Sequence, residues 1–171
     1  YINDAFSCSH RKQASIHGIT KFVKVAYAGP LLKKEISAIN SVVKNKKEPV
    51  TCIIGGSKIS TKITIISNLI KSVSNIIIVG AMANNFLKYN NCEIGKSLME
   101  NNSSEIIKKI IHEAEKGECK IIIPEDCMVS KSFEGNAVAR DLKSIEKDDI
   151  ILDIGPKTLK TIEKIIDSSN T

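Results

Sequence analysis

Eight consecutive residues, Gly55-Gly56-Ser57-Lys58-Ile59-Ser60-Thr61-Lys62, close an apolar run and open an amphipathic one. Paired glycines let a ligand approach the backbone, and free amides at the start of a helix attract phosphate. Lys58 and Lys62 are four apart, so one helical turn would put both ammonium groups on one side. Two cations there suit a polyphosphate whose charge shifts during group transfer. The stretch is not a Walker A loop, because the G-x-x-x-x-G-K-[ST] spacing is absent; alone, it equally describes a tight turn. A second stretch, Asn3-Asp4-Ala5-Phe6-Ser7-Cys8-Ser9-His10-Arg11 followed by Ala14-Ser15 and Gly18, offers a guanidinium that can grip phosphate or carboxylate through paired donors. The imidazole of His10 adds another donor, although an isolated His-Arg pair is also ordinary surface. Two more stretches are Val79-Gly80-Ala81-Met82-Ala83-Asn84, with Glu93-Ile94-Gly95-Lys96-Ser97-Leu98 after it, and Leu152-Asp153-Ile154-Gly155-Pro156-Lys157-Thr158.

The surrounding pattern says what holds these stretches. Leu31, Leu32, Ile36, Ile39, Val42 and Val43 recur at helical steps over 30–46, with Pro30 suited to a first turn and Pro49 ending the segment. From Val50 short apolar runs alternate with helical ones. Strands are predicted at Val50–Ile54, Asn75–Val79, Cys119–Ile123 and Ile150–Ile154. Helices are predicted over 60–72, 81–89, 103–116 and 158–166, the third capped by Ser103 or Ser104 and stopped by Gly117. Continuous apolar strands alternating with helices imply an α/β domain: a Rossmann-like parallel sheet with helices on both faces. Ligands in such folds sit at the carboxyl ends of strands, which singles out the loops after Ile54, Val79, Ile123 and Ile154. Residues 1–29 do not join the alternation, are too short to bury a core by themselves, and read as the tail of a separate domain.

Composition narrows the classes. The 171 residues are 42% hydrophobic, and no apolar run reaches the length of a membrane span. Five scattered cysteines without a C-x-x-C pair, and three scattered histidines, give no zinc spacing and point to free thiols in a reducing compartment, the cytoplasm. The net charge of +6 would suit anionic partners. Lysines are spread along the chain, however, and no aromatic-interleaved basic stretch marks a nucleic-acid surface.

Taken in order and with their spacing, N-D-A-F-x-x-x-H-R, G-G-S-K-I-S-T-K-I, G-A-M-A-N-x-F-L, E-I-G-K-S-L and L-D-I-G-P-K-T resemble phosphoglycerate kinase over essentially the whole chain. Thr61, Ser57, Val79 and Ala81 depart from the commonest family pattern, and S-T-K with G-A-M-A-N resembles alphaproteobacterial members. The resemblance implies a two-domain kinase that moves a phosphoryl group reversibly between Mg-ATP and 3-phosphoglycerate in glycolysis. It implies that 1–29 end a second α/β domain, which binds 3-phosphoglycerate, that 30–48 form a long interdomain helix, and that 49–171 are the first half of the nucleotide-binding domain. It implies that His10 and Arg11 contact the phosphate of 3-phosphoglycerate. It assigns Lys62 to the nucleotide phosphates and the moving phosphoryl group, with Lys58 assisting. Gly56 and Ser57 would line the nucleotide, Gly80 would lie beside adenine, and Leu98 and Leu152 would form apolar walls of the adenine pocket or plain core. The ligand of Mg2+ is expected outside residues 1–171, as are the substrate loop and the glycine-rich phosphate segment. Both ends look cut, so residues 1–171 by themselves are expected to be inactive in a coupled NADH assay. A monomer without nucleic-acid or membrane partners is expected. A non-catalytic nucleotide- or polyanion-binding α/β module would explain the charge and the Gly-Gly turn but not the His-Arg stretch. A dinucleotide-dependent oxidoreductase is disfavoured by the lack of G-x-G-x-x-G after the first strand.

Overall fold

A computed structural model describes residues 1–171, which fall into two units, Tyr1–Lys46 and Lys47–Thr171. In the first, β1 (Ile2–Asn3) pairs in parallel with β2 (Tyr27–Ala28), and short helical turns fill the segment between them. Helix α1 (Pro30–Lys44) then begins at a proline whose fixed φ suits a first turn. The Asp4 carboxylate accepts the Leu32 amide at 2.8 Å, satisfying one of the orphan donors of that turn. The aspartate of the N-D-A-F stretch is thus a helix cap. Of the apolar stripe on α1 only Leu32 is buried; Leu31, Ile36, Ile39, Val42 and Val43 are exposed.

The second unit carries the predicted alternation. Strand β3 (Thr51–Gly55), helix α2 (Ile63–Ile70), β4 (Asn75–Val79), α3 (Ala81–Tyr89), α4 (Ser104–Lys116) and β5 (Lys120–Ile122) form a parallel sheet in the order β3-β4-β5. Ile76, Ile77 and Ile78 of the central strand are no more than 1% exposed, the burial on both sides that a continuous apolar strand requires. One face meets α2, α3 and α4 through Ile54, Ile66, Ile76, Ile78, Phe86, Ile107 and Ile110. On the other face Ile165 of α5 (Pro156–Asp167) lines a cavity with Ile122. Each isoleucine fully buried in this way contributes roughly 1.5–3 kcal/mol relative to exposure.

The last predicted strand behaves differently. Strands β6 (Asp126–Ser130), β7 (Val138–Asp141) and β8 (Ile150–Ile154) form a separate antiparallel sheet in the order β7-β6-β8. Ile150–Ile154 is therefore not a fourth parallel strand. It seals a second, smaller core of Leu87, Ile94, Cys127, Val129 and Ile145. Helix α2 also starts three residues later than the apolar period suggests. The Lys62 amide donates to Ile59 O at 3.0 Å and the Thr61 hydroxyl to Lys58 O at 2.9 Å, so 58–62 is spent on turns before the helix begins.

Candidate functional site

The carboxyl ends of β3 and β4 meet. At the end of β4, Gly80 has φ +66° and ψ −164°, a region open in practice only to glycine, and a Cβ there would lie 3.5 Å from the Gly56 amide nitrogen. The Met82 amide donates to Gly56 O at 2.7 Å, tying the first turn of α3 to the loop after β3. Lys62, half-buried, runs its aliphatic stem along Gly56: a Cβ on that glycine would stand 3.0 Å from Lys62 Cε. Gly56 and Lys62, from the two ends of the loop after β3, are thereby gathered with Gly80 from the end of β4. Because both lysines lie in the turn before α2, their relation is not the helical one expected from their spacing; Lys58 and Ser57 are exposed on the loop.

Beside this point lies a cavity lined by Gly80, Asn84, Pro124, Cys127, Leu152 and Asp153, among others. It lies past the carboxyl end of β4, where a doubly wound sheet takes its ligands, and is closed by residues 151–154 of the antiparallel β8. Leu152 is in its wall. Leu98 is not: it is 60% exposed, so it is neither core nor cavity lining in this conformation, and its carbonyl accepts Asn84 Nδ2 at 2.9 Å. His10 and Arg11 line a different cavity, within the first unit.

Several residues that build the site carry no signal in the sequence. Glu100 accepts the Ser60 amide at 3.0 Å and the Ser60 hydroxyl, which pins the loop bearing Lys58 and Lys62. The Ser60 hydroxyl and then its amide hold the Glu100 carboxyl below its ordinary pKa, with Lys58 adding to the effect. Buried Asn85 is fully engaged. Its Nδ2 reaches Ala81 O and Met82 O, both at 3.2 Å, while its Oδ1 accepts the Glu100 amide at 2.8 Å and the Ser103 hydroxyl at 3.2 Å. Ser103 occupies the cap position of α4, yet its hydroxyl serves Asn85 instead of the helix.

Asp126 organises the end of β8. Its carboxylate accepts the Lys157 amide at 3.0 Å, the Thr158 amide at 2.8 Å and the Thr158 hydroxyl at 2.7 Å, capping α5; Gly155 leaves the space it fills. Burial alone would raise its pKa, but the Lys157 and Thr158 hydrogen bonds prevail and hold it low. The neighbouring Cys127 thiol is pushed up to about 12 by burial, by the Asp126 charge and by Cys92, so it stays a neutral packing group. The five cysteines are all free.

One acidic trio, Glu146, Asp148 and Asp149, has the closeness to suggest a metal ion. Lys131 Nζ already lies 2.6 Å from Glu146, 2.6 Å from Asp148 and 2.8 Å from Asp149, and Arg140 contacts Glu146 at 2.7 Å. With two of its three negative charges offset by cations in contact, and the Lys131 ammonium within 2.8 Å of all three carboxylates, the trio does not fit a divalent ion. The buried Asp149 carboxylate also accepts the Glu146 amide at 2.7 Å, and its carbonyl accepts the Lys96 amide at 2.7 Å. Ser97 Oγ accepts the Ile151 amide at 2.8 Å, so the E-I-G-K-S-L stretch works by fastening β8. Among the helices none is long and apolar enough to cross a membrane.

With the geometry in view, comparison with known proteins is direct. The family model described as phosphoglycerate kinase matches residues 1–171. The phosphoglycerate kinase of Wolbachia pipientis wMel is 45% identical over all of this chain, which spans 43% of that protein. That of Sinorhizobium fredii is 41% identical with the same coverage. Among solved structures, phosphoglycerate kinase from Coxiella burnetii superposes with a TM-score of 0.91 at 34% identity, covering 99% of this chain and 44% of that one. The enzyme from Pyrococcus horikoshii superposes with a TM-score of 0.78 at 25% identity, covering 98% of this chain and 43% of that one. The chain spans less than half the length of the relatives it matches.

Proposed function

The chain belongs to the phosphoglycerate kinase family, and from that premise we propose that the whole protein transfers a phosphoryl group reversibly between ATP and 3-phosphoglycerate, giving ADP and 1,3-bisphosphoglycerate in glycolysis. The observation that carries this reading is the convergence of Gly56, Lys62 and Gly80 at the carboxyl ends of β3 and β4. Phosphoryl transfer of this kind asks a protein for positioning and charge stabilisation rather than covalent chemistry.

In this assignment Lys62 meets the phosphates and follows the transferring group, its stem held against a backbone without side chains. Lys58 supplies a second cation from the exposed loop. Gly56 and Ser57 border the nucleotide, Gly80 lets the adenine ring approach, and Leu152 forms an apolar wall. Leu98, being exposed rather than core, is free to close over that wall. His10 and Arg11 take the phosphate of 3-phosphoglycerate. Mg2+ accompanies the nucleotide, and no residue of this chain is assigned to it. Residues 1–29 belong to the acid-binding domain, 30–48 to the interdomain helix and 49–171 to the nucleotide domain. We assign the protein to the cytoplasm as a monomer; the free cysteines and the glycolytic substrate support the compartment.

The test is the whole protein assayed with ATP and 3-phosphoglycerate. Lys62→Ala is expected to lower kcat by about 100- to 1000-fold, the range for loss of one charge-stabilising donor. A wild-type protein without turnover on this substrate pair would overturn the activity; a Lys62→Ala enzyme within about threefold of wild type would overturn the residue's role.

A further inference from the structure

In the first unit a cavity of about 630 Å³ is lined by the apolar Phe6, Ile16, Leu32 and Ile36 and by His10, Arg11, Lys12 and His17, among others. No carboxylate is among the lining residues. We propose that Lys12 and His17 are further binding residues for the phosphate end of the acid substrate, completing with His10 and Arg11 a four-membered cationic and imidazole set. The inference rests on the reading that this cavity takes 3-phosphoglycerate.

Three observations carry it. Lys12 follows Arg11 directly, and His17 is returned to the same opening by the helical turn Ala14–Gly18, in which the amides of Ile16, His17 and Gly18 all donate to Gln13 O at 3.2, 2.9 and 3.1 Å. That turn is anchored from outside by the Tyr1 hydroxyl, which donates to Ser15 O at 2.6 Å, and the Thr20 hydroxyl donates to His17 O at 2.7 Å. The backbone bearing His17 is therefore held at both ends. Neither Lys12 nor His17 has an acidic partner in an ion pair with it, in contrast to Lys131, Arg140 and Lys157 of the second unit. Cations left without acids beside apolar lining focus their field into the opening, which raises the local concentration of an anion and the rate of its capture. A phosphate presents three oxygens, more than one guanidinium fork engages, so additional donors have acceptors to meet.

Calorimetric titration of the whole protein with 3-phosphoglycerate, and separately with inorganic phosphate, tests this. Lys12→Ala and His17→Gln are each expected to weaken 3-phosphoglycerate by about threefold to tenfold, the scale of a partly solvated charge contact. ATP affinity should not change, and Lys12→Arg should restore most of the loss. Added salt should weaken wild type more than Lys12→Ala, a difference that a merely structural role for Lys12 does not produce. His112→Gln, on α4, serves as the control. Should His17→Gln fold poorly, the imidazole resonance of His17 in the wild type is the second readout: it must move on titration while that of His112 stays in place. If both single variants bind 3-phosphoglycerate as wild type does, the inference falls and the proposed function stands. If wild type binds neither 3-phosphoglycerate nor inorganic phosphate, both fall together.

Discussion

Asp126→Ala tests how the antiparallel sheet is locked to helix α5. The substitution removes the acceptor for two amides, Lys157 N at 3.0 Å and Thr158 N at 2.8 Å, at the first turn of the helix. The Thr158 hydroxyl keeps other partners, since it accepts the Glu125 amide at 2.9 Å and can donate to Asp126 O at 3.1 Å. The loss is thus one part-buried cap contact, worth about 0.5–1 kcal/mol, and one buried amide left without a partner, worth about 1–3 kcal/mol. Together these predict a destabilisation of about 1.5–4 kcal/mol, with Asp126→Asn intermediate because its carbonyl still accepts one amide. Urea unfolding followed by far-UV circular dichroism should show the transition of the Lys47–Thr171 unit moving down by about 1–2 M, given the usual slopes. The Thr158 amide should exchange faster. The pH arm has a definite sign. A carboxyl whose folded pKa lies below its unfolded value binds fewer protons when folded, so its contribution is complete above the unfolded pKa and is lost as pH falls through the folded one. The gap between wild type and Asp126→Ala should therefore narrow on acidification below the ordinary aspartate range. A midpoint within about 0.3 M of wild type at neutral pH would refute the reasoning, because two helix-start amides would then have found water as good a partner.

Gly80→Ala places a side chain in a backbone region that costs about 1–3 kcal/mol for any other residue; a lowered thermal midpoint together with weaker ADP binding by calorimetry is expected. Asp149→Ala strips the buried carboxylate from Lys131 and Arg140 and frees the Glu146 amide. A loss of about 2 kcal/mol is expected, discounted because the cations are partly solvated, and urea titration measures it. Burial would raise the Asp149 pKa, but Lys131, the Glu146 amide and Arg140 prevail and hold it low, so its contribution too should disappear as the solution is acidified through the folded pKa.

The parallel half of the second unit was legible in the residues because its physics is local. Val50–Ile54 and Asn75–Val79 are continuous apolar runs, and a run buried on both faces can be little else than a central strand. The five ordered motifs likewise carried the family, and the strand-end loops they mark are where Gly56, Lys62 and Gly80 come together. Other features depended on partners distant in the chain. Nothing near Ser60 announces Glu100, forty residues away, yet that contact pins the turns in which Lys58 and Lys62 stand before α2 begins. Nothing in Ile150–Ile154 distinguishes a parallel from an antiparallel strand; the partner β6, which has mixed polarity and is buried at Asp126 and Ser130, decides it. Leu98 reads as apolar and stands exposed, while Asn84, Asn85 and Asp126 read as polar and are buried, because burial of a polar group is settled by whether the fold supplies its hydrogen bonds. The order of strands, helices and glycine turns was thus a property of the sequence, set by short-range periodicity. Which cations reach the site, and which carboxylates hold its loops, was decided only when segments far apart in the chain came within hydrogen-bonding distance.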